Sequence, residues 1–122
     1  MSTQVKFITA AILAPAALLL GNAAWAHAKL VSASPAINSV AATPKLIELH
    51  FSEAIAAKFS HFTLSAADGS SQTLSAAAAG DDKTLAASPA TPLTAGSYTV
   101  SWVAVATDDG HKTQGKYRFT VK

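Results

Sequence analysis

From residue 28 onward the apolar and polar positions fall into short alternating runs rather than helical stripes. Ile47, Leu49 and Phe51 alternate with Glu48 and His50, and Tyr117, Phe119 and Val121 alternate with Arg118 and Thr120. Each run presents one apolar face, as a half-buried strand does. Tyr98, Val100, Trp102 and Ala104 share a face in a third run, which offers large aromatic groups to the middle of a two-sheet core. The clusters SPAINSVAATP, SEAIAAK, ADGSS, GDDK, SPATPLTAG and TDDGHK separate the runs and are rich in turn formers. The pattern predicts seven strands, near 28–33, 46–51, 59–66, 72–78, 84–88, 97–105 and 114–121. Ala76 to Ala79 has helix propensity, but Gly80-Asp81-Asp82 closes that stretch, so it reads as a strand edge. Short strands at this spacing predict an all-β, immunoglobulin-like sandwich, with a closed barrel as the alternative.

The first 26 residues follow another rule. A polar start with Lys6 leads into the apolar run FITAAILAPAALLL and then GNAAWA. The run is short for a membrane span and broken by Pro15, and Ala24-Trp25-Ala26 places small residues where a signal peptidase reads them. Residues 1–26 are therefore expected to be a cleaved secretory signal, leaving a 27–122 domain that begins at His27, is exported, and has no stable membrane insertion.

Composition narrows the chemistry. Of nine basic residues only Lys6 falls in the leader, so eight face seven acidic ones in the rest of the chain. No basic run supports nucleic-acid binding, which needs concentrated positive charge. The chain has no Cys, which excludes a disulfide framework, a thiolate nucleophile, a lipid anchor on Cys and a blue-copper centre.

Within a sandwich of this kind the second-to-third and sixth-to-seventh strand loops share one end. That end receives Glu53 from the first loop, Asp109 and His111 from the second, and His27, because the first strand runs antiparallel to the second. An internal His near a chain start is ordinarily a solvated side chain. A His at the amino terminus is different, since its α-amine and Nδ1 can close a six-membered ring on one metal ion. Asp-Gly is a common turn pair whose carboxylates bond turn amides, but Gly110 between Asp109 and His111 also lets a tight loop aim both side chains at one point. An amine, two imidazoles and a carboxylate form a nitrogen and oxygen donor set suited to copper(II) above zinc. Glu53 is expected to bond the amine or an imidazole from behind, or to act as a weak axial ligand. His50 and His61 lie on polar strand faces and read as surface residues, and Tyr98 and Trp102 read as core.

The chain resembles the CopC family of periplasmic copper-resistance proteins over essentially all of its length after residue 26. The resemblance rests on HAKLVSASP at 27–35, IELHFSE at 47–53, PLTAGSY at 92–98, VSWVAV at 100–105, and Asp109-Gly110-His111 followed by Gly115. It implies a Greek-key β-sandwich with His27, Asp109 and His111 as copper(II) ligands and Glu53 beside them. Some members of that family carry a Met- and His-rich copper(I) stretch after the third strand. Here the stretch reads SAADGSSQ at 65–72, and the single Met is Met1.

These readings converge on a periplasmic protein that sequesters or carries copper(II) and hands it to an inner-membrane importer or another acceptor. Two other classes compete. An amino-terminal His copper centre also resembles that of the lytic polysaccharide monooxygenases, but Asp109 would fill the position that oxygen needs, so the chain is not expected to be an enzyme. A metal-free adhesion module is the third reading, since the sandwich by itself implies no function.

Overall fold

The computed structural model describes residues 27–122, so the expected leader and its cleavage point lie outside the described residues. The strands are β1 (Leu30–Ser34), β2 (Val40–Ala41), β3 (Ile47–Phe51), β4 (His61–Ala66), β5 (Ser71–Ser75), β6 (Ala77–Ala79), β7 (Asp81–Ala87), β8 (Gly96–Val105) and β9 (Lys112–Val121). One sheet has the order β1-β3-β7-β6 and the other β2-β9-β8-β4-β5. The first matches the ABED sheet of immunoglobulin domains, and the second is the GFC sheet widened by one strand at each side. The barrel alternative falls, because the two sheets remain separate.

Alternation does the work that the sequence pattern implies. Ile47, Leu49 and Phe51 of β3 face Phe62, Leu64, Val100 and Phe119 across the sandwich, and all belong to one buried cluster. Fully burying a large aliphatic or aromatic side chain stabilises a domain by about 1.5–3 kcal/mol, and Ile47, Leu49, Phe62 and Val100 are 0 % exposed. At the start of β8 the buried Tyr98 hydroxyl donates to the Thr94 carbonyl at 2.7 Å, the tyrosine-corner arrangement of such sandwiches. Trp102 pairs with Gly115 across β8 and β9. A Cβ at that glycine would stand 2.7 Å from Trp102 Cζ2, so the missing side chain makes room for the indole.

The structure departs from the seven expected strands in three places. The 72–78 segment is two strands, β5 pairing with β4 in one sheet and β6 with β7 in the other. Its Ser, Thr and Ala residues lack the polarity contrast that would have marked the crossing. The expected start of the third strand at residue 59 is instead a 3-10 turn over Ala57–Phe59. Ser60 stabilises that turn by donating to the Ala56 carbonyl at 2.8 Å and accepting from Val105 N–H at 3.0 Å. The two-residue β2, parallel to β9, was too short for a periodic signal.

Candidate metal centre

Three connections meet at one end of the sandwich, and backbone hydrogen bonds fasten them together. Ile55 forms an antiparallel bridge with Ala106. Ala56 N–H donates to the Val105 carbonyl at 2.8 Å and Thr107 N–H to the Ala54 carbonyl at 2.9 Å, tying the β3–β4 loop to the β8–β9 turn. The segment before β1 is held from both sides. Lys29 N–H donates to Ser52 Oγ at 2.9 Å, Ser52 N–H returns to the Lys29 carbonyl at 2.9 Å, and the Thr113 hydroxyl donates to the Ala28 carbonyl at 3.1 Å. Ala28 is buried in the core, so His27 immediately before it is anchored at this end.

The result brings together the residues that the loop topology predicts. The His27 and His111 rings stand edge to face with centroids 4.4 Å apart. Asp109 Oδ2 lies 3.6 Å from His111 Nδ1. His27 and Glu53 line one recess of about 330 Å³ with Lys29 and Ser52. Asp109 also performs the ordinary turn function, since its Oδ1 accepts from His111 N–H at 2.9 Å. Gly110, with φ of +70°, permits the tight return that sets these two side chains beside each other.

The polar atoms at this end are unequally satisfied. His27 Nδ1 and Glu53 Oε2 are buried and have no hydrogen-bond partner. Buried polar atoms are nearly always paired, so a ring nitrogen and a carboxylate oxygen left unpaired at one place have the chemistry to hold a cation. Among the described residues no group of three or more His, Asp or Glu side chains is by itself placed to hold a metal ion. In the full chain the nitrogen of His27 is a peptide nitrogen; cleavage after Ala26 would convert it to an α-amine. With that amine and Nδ1 on one residue, His111 and Asp109 would supply the further nitrogen and oxygen donors of a kind that suits a divalent transition metal.

The remaining histidines differ from one another. His61 is exposed on β4, as expected. His50 is half-buried, not a free surface residue, and its Nδ1 lies 3.0 Å from the hydroxyl of the buried Thr84. β3 is an interior strand, and its register with β7 puts His50 directly beside Thr84. Polar alternation showed the outward face without showing what flanks it there.

Comparison with known proteins places the chain among copper-related sequences and structures. Residues 30–122 match the CopC domain model. The chain is 41 % identical to copper resistance protein C of Pseudomonas syringae pv. tomato, over 98 % of this chain and 97 % of that protein. It is 40 % identical to protein YobA of Escherichia coli (strain K12), covering 85 % and 86 % respectively. Among solved structures, PcoC, a methionine-rich copper resistance protein from Escherichia coli, superposes with a TM-score of 0.70 at 39 % identity, over 80 % of this chain and 100 % of PcoC. CopC from Methylosinus trichosporium OB3b gives a TM-score of 0.71 at 32 % identity, over 79 % of this chain and 94 % of that one.

Proposed function

The chain belongs to the CopC family, and on that premise we propose that it is an exported copper(II)-binding protein that sequesters or carries the ion in the periplasm, in the service of copper resistance. Residues 1–26 are removed on export, His27 becomes the amino terminus, and the ion is held by the His27 amine and Nδ1, His111 and Asp109. Glu53 orients the amine or an imidazole. An inner-membrane importer is the proposed acceptor. The observation that carries this reading is the meeting of the His27 and His111 rings at 4.4 Å beside the orphaned His27 Nδ1 and Glu53 Oε2. The names of the relatives support copper, and the donor chemistry supports its oxidised form. Residues 27–122 contain neither Cys nor Met, so they offer no soft sulfur ligand of the kind copper(I) prefers.

The same ligand set supports binding over catalysis, because a carboxylate beside His111 takes the position a reacting oxygen would require. The chain starting at His27 should bind copper(II) tightly, and a version with one extra residue before His27 should lose most of that affinity, with a changed paramagnetic resonance spectrum. Equal affinity and identical spectra for the two would overturn the assignment of the amine.

A further inference from the structure

The outer face of the five-stranded sheet carries cations and no acidic group. Strand parity sends Lys112, Lys116 and Arg118 of β9 outward, opposite to the buried Tyr117 and Phe119. Lys116 registers with Ser101 and Arg118 with Thr99 of β8, and the next strand continues with Thr63 and Ser65. All seven acidic residues lie elsewhere, on β3, at the start of β7 or in loops. Among the described residues the single close ion pair is His111 with Asp109, so Lys116 and Arg118 have no acidic partner.

At the β2 edge of this face the cations stand beside exposed aliphatic side chains. A recess of about 490 Å³ is lined by Ile37, Asn38, Thr99, Lys116, Tyr117 and Arg118. Ile37 is 46 % exposed and Val40 64 %. They are not on a loose loop: Asn38 N–H donates to the Arg118 carbonyl at 2.7 Å and Thr120 N–H to the Ser39 carbonyl at 2.8 Å, which staple the turn to β9. A purely acidic segment would satisfy the cations and leave the aliphatic pair in water. An anionic lipid surface satisfies both, since phosphate groups lie at the level of the charges and the acyl boundary just beneath.

We propose that this face docks the folded domain reversibly on an anionic phospholipid surface, with a phosphodiester headgroup between Lys116 and Arg118 and with Ile37 and Val40 entering the interfacial layer. Lys116 and Arg118 lie five and seven residues beyond His111, which directly precedes β9. At about 3.3 Å per residue that is roughly 17 and 23 Å, so the His27 end stays open while the domain is docked. Docking does not depend on the copper assignment.

The test is sedimentation of the chain from His27 onward with vesicles of equimolar phosphatidylglycerol and phosphatidylethanolamine, against vesicles of phosphatidylcholine alone. Binding is expected to the anionic vesicles only and to fall with salt. Each cation near such a surface is worth about five-fold in partitioning, so Lys116→Gln with Arg118→Gln should weaken it roughly 25-fold. Ile37→Ser with Val40→Ser should weaken it at every salt concentration, and Lys58→Gln, on the β3–β4 loop, should not. Thermal melts establish that each variant is folded. Inorganic phosphate at matched ionic strength should not displace the protein; displacement would mean a free-phosphate site and overturn the lipid assignment. Equal binding to both vesicle types, no binding to either, or full binding by the folded Lys116→Gln, Arg118→Gln variant would also overturn it, as would retention on polyglutamate without vesicle binding, which would point to an acidic protein instead.

Discussion

A recess at each end of the sandwich is lined by turn residues, and the two differ in how their polar atoms are satisfied. At the far end a recess of about 350 Å³ is lined by residues including Asp68, Ser70, Gln72, Thr94 and Tyr98. There the polar groups answer one another. Asp68 Oδ1 accepts from the Ser70 N–H at 2.9 Å and hydroxyl at 2.7 Å, Gln72 Oε1 accepts from Ala90 N–H at 2.9 Å, and Tyr98 donates to the Thr94 carbonyl. At the His27 end two buried donor atoms have nothing to bond. The far recess is a finished turn, whereas a ring nitrogen and a carboxylate oxygen left unpaired side by side have capacity for a cation; the other unpaired buried atoms, Ser39 Oγ, Trp102 Nε1 and Tyr117 Oη, include neither an imidazole nor a carboxylate. The far end also holds the SAADGSSQ stretch, with neither imidazole nor sulfur. One relative of the same fold is described as methionine rich, whereas residues 27–122 of this chain contain no Met.

The largest expected effects test the difference between the ends directly. His27→Ala, His111→Ala and Asp109→Ala should each lower copper(II) affinity by more than the roughly 10- to 100-fold that removing an outer partner costs, and Glu53→Gln should fall within that range. His61→Ala and Asp68→Ala should leave the affinity unchanged in a competition titration. A loss at Asp68 or His61 equal to that at His111 would erase the distinction between the ends.

Thermal melts with and without copper at two pH values sharpen it. Free α-amines titrate at about 7.7–8.0 and imidazoles at about 6.5 in general, and such donors must be unprotonated to bind metal. Copper at about 100 times its dissociation constant should add roughly 2.7 kcal/mol near neutral pH, and much less at pH about 4.5. Asp68 and Asp81, outside the proposed ligand set, act in a lower window. The Ser70 hydroxyl holds Asp68, and the Thr84 hydroxyl holds Asp81, below the usual value of 3.8. A depressed folded value means that their contribution is present above the unfolded value and lost as the pH falls through the folded one. Copper release is therefore expected before any acid loosening of the turns. Copper protection as large at pH about 4.5 as at neutrality would contradict the amine and imidazole donors.

A smaller effect is expected at His50. His50→Ala deprives the buried Thr84 hydroxyl of the ring 3.0 Å away while Asp81 still holds it, and should cost about 0.5–1.5 kcal/mol in chemical denaturation while leaving copper affinity intact. A loss of copper affinity without loss of stability would assign His50 to the metal site and enlarge it.

Much of this was readable along the chain because it depends on local periodicity. The apolar faces of β3, β8 and β9 follow from residues two apart, as does the core position of Tyr98 and Trp102, and the want of soft ligands in residues 27–122 follows from composition. The loop topology of the fold class was enough to send His27, Glu53, Asp109 and His111 to a common end. Other features had no local signal. A period of two says which side of a strand is apolar, but it does not say which strand lies alongside or which sheet receives the next segment. That is why residues 72–78 read as one strand although they cross between sheets, and why His50 read as free although β7 sets Thr84 beside it. The geometry of the His27 end is of the same kind: the bond that anchors its first residues joins Thr113 to Ala28, 85 positions apart. Only the closed sandwich decides that the two imidazoles meet and that His27 Nδ1 and Glu53 Oε2 are buried without partners, because burial and hydrogen bonding depend on every strand packed around them.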